Sequence, residues 1–287
     1  MDLNLVDSTF SHCGVSSNPL PVINKAKHIQ WVRRDSTDEL VVYTDNHIPT
    51  KISNRSIAWL IEPREIKPNG YSYVEDNYYE FKSIWTYDKK LLKDLPNAEF
   101  YPFGGCWINH NDRKIHKKSK LFSTISSSKD QTTGHKLRHQ IISASFNEMD
   151  VFGRGSEQFS RPGASGYGPI DNKIEGLKDY YYHLAVENVK KDYWFTEKLI
   201  DCFVTGTIPI YWGCPSIGNY FNTDGMVLFN DLTELKGRLE QCTEKFYEDN
   251  LSAVRENFEL AKKYTLAEDW IYRNIASAFK EKPFPER

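Results

Sequence analysis

Thr196-Glu197-Lys198-Leu199-Ile200-Asp201-Cys202-Phe203-Val204-Thr205-Gly206-Thr207-Ile208-Pro209-Ile210-Tyr211-Trp212 is the stretch whose reading decides the fold. Thr196 is an N-cap residue, because its hydroxyl can accept from an amide of the first helical turn. The helix it opens is predicted to run to about Thr205 and to stop at Gly206, a residue that tolerates the left-handed conformation common at helix ends. Thr207–Trp212 follows as a nearly unbroken apolar run. Such a run fits a strand covered on both faces, as in a parallel sheet. A helix feeding directly into a buried strand is one repeat of an α/β fold.

The same alternation extends outward. Leu121–Ser127 reads as a strand, Ser128–Gly134 as a polar loop and His135–Phe146 as a helix. Met149–Pro169, rich in Gly, Ser and Arg, reads as a loop. Lys173–Asp179 is a short helix and Tyr181–Val186 a strand, with Met226–Phe229 as a further strand. The last segment carries a capping box, Thr265 to Glu268, ahead of Trp270, Ile271, Ile275 and Phe279 at helical spacing. In the N-terminal part, His28–Arg34, Leu40–Tyr43, Ser56–Ile61 and Ser83–Tyr87 read as strands, Glu99–Ile108 as extended, and Val74–Phe81 and Lys89–Leu95 as helices. The whole is α/β. The expected division is a domain over 1–117, a second over 118–264, and a C-terminal helix within 265–287 that packs back on the first. The basic stretch Arg113–Lys120, holding Arg113, Lys114, Lys117, Lys118 and Lys120, reads as a solvated linker in preference to a phosphate-attracting patch.

Composition narrows the functional classes. The chain has 287 residues, 39% apolar and 26% charged, which is ordinary for a globular protein. A formal net charge of −2 gives no overall field to attract nucleic acid, and no nucleic-acid partner is expected. Met1-Asp2-Leu3-Asn4 has neither the basic nor the apolar region of a signal peptide. No apolar run reaches the length of about 18 residues that a membrane helix needs. The five cysteines, Cys13, Cys106, Cys202, Cys214 and Cys242, are odd in number and widely spaced, so they read as free thiols of a reducing compartment. The expected location is cytoplasmic.

Helix starts attract anions, because their first amides lack intrahelical partners and the macrodipole is positive there. Two helix starts in this chain also carry cations: His135, Lys136, Arg138 and His139 at one, Lys198 at the other. Cations there oppose the dipole by about 0.3–1 kcal/mol each, so the pattern points to a bound anion, and the pair to a diphosphate. Glu197 fits either a favourable charge in the first helical turn or an acceptor for ribose hydroxyls. Asn188, just past a strand, fits either a turn or a donor to phosphate or sugar. His135 and His139 share a helix face, but no third ligand is evident and no metal site is expected. Asp-x-Asp, Walker and complete GxGxxG motifs are absent, Gly153-Arg154-Gly155 being only a fragment of the last.

Val186-Glu187-Asn188, Tyr193-Trp194-Phe195-Thr196-Glu197-Lys198 and Gly206–Gly213 together resemble the C-terminal signature of the α1,3/4-fucosyltransferases, glycosyltransferase family ten. Pro215, Asn219 and Phe221 continue the pattern. The likeness is weaker around Arg138 and faint over the first hundred residues. It implies a GT-B architecture, two Rossmann-like domains facing a cleft, with the acceptor on the side of 1–117 and the nucleotide sugar held by 118–264. It also implies no obligatory metal and inverting transfer from GDP-fucose. Carried over, Arg138 and Lys198 bind the diphosphate, Glu197 the ribose, and Asn188 the phosphate or the sugar. Trp194 joins the donor site where the family usually has Tyr, which bears on which sugar is bound. The catalytic base is expected after an N-terminal strand. Glu62, in Trp59-Leu60-Ile61-Glu62-Pro63, fits best, with Glu65 second.

The function implied is transfer of a sugar, L-fucose first, to a hydroxyl of a glycan acceptor. The alternatives are a related transferase using another nucleotide sugar and a non-catalytic glycan- or nucleotide-binding protein on the same fold. Glu75–Tyr79 and the loop Met149–Pro169 are candidate acceptor segments.

Overall fold

The computed structural model describes residues 1–7, 26–34, 37–102, 104–144, 149–154 and 166–275, with the backbone alone at 166 and 167. Cys13, the end of the helix expected to reach Phe146, Gly155, the middle of the Met149–Pro169 loop and Phe279 lie outside the described residues. The chain divides into two compact units. The first comprises 1–105, 192–194 and 263–287; the second comprises 106–191 and 195–262.

The first unit holds a six-stranded sheet in the order β2-β1-β3-β4-β5-β6. Its strands are β1 (Asp2–Val6), β2 (Gln30–Val32), β3 (Leu40–Thr44), β4 (Arg55–Trp59), β5 (Phe81–Thr86) and β6 (Ala98–Phe100). Every pairing is parallel. Alternation along the strands divides the apolar side chains between two faces. Val42, Ile57, Trp59 and Trp85 join one core with Leu3, Leu5 and Trp31. Val41, Tyr43, Ala58, Leu60 and Ile84 join the other with Tyr71 and Val74 of the helix α1 (Pro68–Asn77). The helix α2 (Lys89–Asp94) is capped by Asp88, whose carboxylate accepts from the amides of Lys90 and Leu91.

Three local expectations are revised here. Asp2–Val6 forms an interior strand that was not anticipated, although Leu3 and Leu5 alternate with polar residues. The helix expected over Val74–Phe81 starts earlier, at Pro68, and ends at Asn77; Phe81 instead opens β5 and is fully buried in the sheet. Proline at a first helical position loses nothing, since that amide has no helical partner. The N-cap expected at Thr265 falls one residue later. The helix Ala267–Asn274 has Leu266 at its N-cap with no side-chain cap. Glu268 is buried, and its Oε1 accepts from the Trp31 indole at 2.6 Å. A buried N–H left without an acceptor is costly, so this bond helps to hold Glu268 in the core.

The second unit holds another six-stranded sheet in the order β12-β11-β10-β7-β8-β9. The strands are β7 (Lys120–Ile125), β8 (Met149–Phe152), β9 (Gly166–Gly168), β10 (Tyr180–Val186), β11 (Ile208–Trp212) and β12 (Val227–Leu228), again all parallel. Its helices are α3 (Thr133–Ser143), α4 (Glu197–Phe203), α5 (Leu232–Glu240), α6 (Glu244–Asp249) and α7 (Leu251–Ala261). Gly206 ends the α4 segment at φ 70°, as the sequence anticipates. Residues 173–176 form a single 3₁₀ turn, shorter than the helix expected to Asp179. Lys118 is not a solvated linker residue. It is 6% exposed, and its ammonium donates to the carbonyls of Lys178 and Thr205 and to the Thr207 hydroxyl at 3.1, 2.9 and 2.8 Å. Burial pushes its pKa down to about 7. Cys106, Cys202, Cys214 and Cys242 are buried thiols outside any disulfide among the described residues. Among the described residues no helix is long and apolar enough to cross a membrane.

Two predictions follow from these cores. Ile271, on the helix Ala267–Asn274, is fully buried in the core of the first unit. Ile271→Ala should cost about 2–5 kcal/mol, read as a lowered denaturation midpoint of that unit in urea. His183 sits in β10 with its Nδ1 2.8 Å from the Ser123 hydroxyl, which donates its own proton to the Gly176 carbonyl. Nδ1 must then carry hydrogen and Nε2 none. Burial, then the charges of Lys173 and Arg138, depress its pKa to about 3. A folded pKa below the unfolded value of about 6.5 means stability is full above that pH and declines as pH falls towards 3. The difference in unfolding free energy between wild type and His183→Gln should therefore change by about 1.4 kcal/mol per pH unit within that window, measured by urea titration at pH 7 and pH 5.

Candidate active site

Open parallel sheets bind ligands at the carboxyl ends of strands where the strand order reverses. In the second unit the chain runs outward from β7 through β8 and β9, then returns to β10 on the opposite side of β7. The reversal lies beside the ends of β7 and β10, at Ile125 and Val186. Arg138, Asn188, Glu197 and Lys198 gather around the end of β10.

α3 reaches this point through a close backbone approach. Thr132 caps the helix by accepting from the His135 amide at 3.2 Å. The Gly134 amide donates to the Asn188 carbonyl at 2.9 Å, and a Cβ on Gly134 would lie 1.7 Å from the Glu187 carbonyl oxygen. One turn on, Arg138 is 4% exposed and its Nη2 donates to the Val186 carbonyl at 2.5 Å. α4 is attached to the same strand end. The fully buried Glu187 carboxylate accepts from the Thr196 amide at 2.8 Å and the Thr196 hydroxyl at 2.7 Å. Its own amide donates to the Trp212 carbonyl at 2.9 Å. The Lys198 ammonium lies 3.3 Å from Glu197 and 3.7 Å from Glu187. The Lys173 ammonium lies 2.6 Å from Asp201, 4.0 Å from Glu197 and 5.0 Å from the centre of the Trp107 ring.

These placements change the electrostatic picture drawn from the sequence. Lys198 is already answered by two carboxylates within the protein. Burial acts to raise the Glu197 carboxyl, but Lys198 and Lys173 more than offset it and hold it below the ordinary carboxylate range. Glu187 goes the other way, because its burial outweighs the attraction of Lys198. Burial lowers the Arg138 pKa, against the pull of Glu187 and Glu197. Burial, followed by the charges of Arg138 and Lys198, depresses His135 to about 4, so it is neutral at pH 7. Its Nδ1 lies 2.9 Å from the Thr132 hydroxyl, and His139 Nε2 lies 2.8 Å from the Ser127 carbonyl. No cluster of three or more His, Cys, Asp or Glu able to hold a metal occurs among the described residues.

Glu62, Glu65 and Trp194 belong to the first unit. Leu60, Ile61 and Glu62 follow directly on β4, at the carboxyl end of the sheet. Their backbone is held mostly by side chains. The Ile61 and Glu62 amides donate to Asp45 Oδ1 at 2.9 and 3.2 Å. The Ile61 carbonyl accepts from the Trp194 indole at 3.1 Å, and the Glu62 carbonyl from the Tyr71 hydroxyl at 2.9 Å. Trp194 is fully buried, with its indole N–H committed to this strip. Glu62 is partly buried, and Glu65 is exposed. Sequence inspection gave no role to Asp45, Lys173, Glu187 or Asp201. Glu187 stands inside the signature stretch and Asp201 one turn after Glu197, so both carried a local signal. Asp45 and Lys173 reach their partners only through the fold.

A family model described as glycosyltransferase family 10 (fucosyltransferase) C-term matches residues 115–272. The Helicobacter pylori alpha-(1,3)-fucosyltransferase FucT is 42% identical over 62 residues, which are 22% of this chain and 13% of that protein. A crystal structure of an α1,3-fucosyltransferase with GDP-fucose is similar with a TM-score of 0.56 at 17% identity, covering 90% of this chain and 83% of the other. A trehalose-6-phosphate synthase, described as transferring with retention, has a TM-score of 0.60 at 11% identity, covering 86% and 75%. These likenesses, with two parallel α/β sheets, identify the GT-B fold. Since the matched family region spans more than half of its length, the chain belongs to glycosyltransferase family 10, the fucosyltransferases.

Proposed function

We propose that this protein is an inverting glycosyltransferase that moves L-fucose from GDP-fucose to a hydroxyl of a glycan acceptor. The observation that carries the reading is the gathering of Arg138, Asn188, Glu197 and Lys198 around the end of β10, in a chain of a fucosyltransferase family. Support for the donor comes from the GDP-fucose named with a protein of the same fold.

In this reading Arg138 and Lys198 bind the diphosphate, and the amides at the start of α3 add to their pull. Glu197, kept ionised by its two lysines, accepts from ribose hydroxyls. Asn188 donates to the phosphate or the sugar. Trp194 contributes by fixing the Ile61 carbonyl and, through it, the strip that ends in Glu62. Glu62 accepts the proton of the acceptor hydroxyl as that oxygen bonds to the anomeric carbon. The bond from that carbon to the phosphate oxygen breaks in the same step, its electron pair leaving with GDP, and the configuration inverts. Arg138 and Lys198 stabilise the charge that builds on the departing diphosphate, a task that a metal performs in other transferases.

Two outcomes are expected. Glu62→Gln should lower GDP release from GDP-fucose by about 10²–10⁴-fold with little change in GDP affinity. If Glu65→Gln does this while Glu62→Gln stays active, the base is Glu65. Lys198→Ala should weaken GDP binding in calorimetry by about 10–100-fold, the loss of one charge-assisted hydrogen bond. Unchanged affinity would remove Lys198 from the diphosphate site. Release of GDP from GDP-fucose but not of UDP from UDP-sugars separates this donor from the alternative of another nucleotide sugar.

A further inference from the structure

In the first unit, chain order reverses beside β1 and β3, because β2 lies on one side of β1 while β3 and the later strands lie on the other. The residue at the carboxyl end of β3 is Asp45. It is 4% exposed and adopts φ 42°, in the left-handed region that Asp tolerates better than most residues. α1 closes over it so tightly that a Cβ on Gly70 would lie 2.6 Å from the Asp45 carbonyl oxygen. Asp45 Oδ1 accepts from both the Ile61 and Glu62 amides. Asp45 Oδ2 is buried with no hydrogen-bond partner among the described residues.

A buried carboxylate with one unpartnered oxygen is costly for folding alone. Its presence where glycine would suit the backbone points to a use outside stability. Among the described residues the hydrogen bonds of the Asp45 carboxyl go to Ile61 and Glu62. With Tyr71 on the Glu62 carbonyl and Trp194 on the Ile61 carbonyl, it determines where the Glu62 side chain is presented.

We propose that Asp45 is the positioning residue for Glu62: it holds the two successive amides of Ile61 and Glu62 and so sets the direction of the proton-accepting carboxyl. The proposal rests on the reading of Glu62 as the base. The groups facing Asp45 are the Glu62 carboxyl, the Lys67 ammonium and the Tyr71 and Tyr87 hydroxyls. Burial, helped by Glu62, pushes the Asp45 pKa up to about 7 against its two backbone hydrogen bonds. Near neutral pH the carboxyl is therefore partly protonated. Asn is then a close mimic, with a carbonyl for the two amides and a neutral group in place of Oδ2.

The experiment compares Asp45→Gly, Asp45→Asn and Glu62→Gln by GDP release from GDP-fucose, with kcat and donor KM read separately and thermal melting as the check on folding. Glycine suits the positive φ while deleting the carboxyl. Asp45→Gly should lower kcat by about 10–100-fold and leave donor KM within about twofold, as misdirection of a catalytic group does. Asp45→Asn should restore most of kcat. Should Asp45→Gly fail to fold, Asp45→Ser takes its place, too short to reach both amides. Wild-type kcat in the Gly or Ser variant, or a folded Asn variant as slow as it, overturns the proposal. If Glu62→Gln remains active, the base assignment itself fails and the positioning role with it. If Glu62→Gln is inactive while Asp45→Gly is not, only the positioning role fails.

Discussion

The end of β10 is the joint on which the second unit depends. One residue, Glu187, serves two helices there. Its carbonyl lies against the backbone of Gly134 in α3, and its carboxylate accepts both the amide and the hydroxyl of Thr196 at the start of α4. A fully buried carboxylate is tolerated because hydrogen bonds and Lys198 compensate it. Helix positions follow from this joint. Arg138 is carried to the Val186 carbonyl by α3, and Glu197 and Lys198 are set beside the same strand end by α4.

The joint also balances charge. Arg138, Lys173 and Lys198 meet Glu187, Glu197 and Asp201, so the cluster is not the bare cationic pocket that its basic residues suggest. Cations kept in register by nearby acids are oriented before any ligand arrives, which limits the entropy lost on binding. The first unit applies a comparable economy of means at Ile61 and Glu62. Four backbone groups beyond the ladder of β4 are satisfied by Asp45, Tyr71 and Trp194 at the carboxyl end of the sheet.

Legibility differed by type of element. β11 and α4 were clear because each is signalled locally, by an apolar run, an N-cap threonine and a stopping glycine. β1 was missed because five residues near a terminus carry too little periodicity to outweigh their polar members. The boundary at Phe81 was missed because an aromatic residue fits either period, and only pairing with β4 decides between them. The last helix starts one residue later than its local signal suggests, and Trp31, far away in sequence, has Glu268 as its acceptor. Lys118 was read as solvated because its four oxygen acceptors come from segments about 60 and 90 residues downstream.

Among the candidate site residues, those on contiguous segments could be nominated from residue type and position alone. Sequence by itself determined the α/β class, the strand–helix units and the residues that carry the family signature, because these depend on spacing of a few residues along one chain. Only the tertiary structure decided which acids answer which cations, that Trp194 serves the Ile61 carbonyl, and that Asp45 lies beside Glu62. Burial and hydrogen-bond partnership are set by segments remote in sequence, and no local pattern encodes which of them will meet.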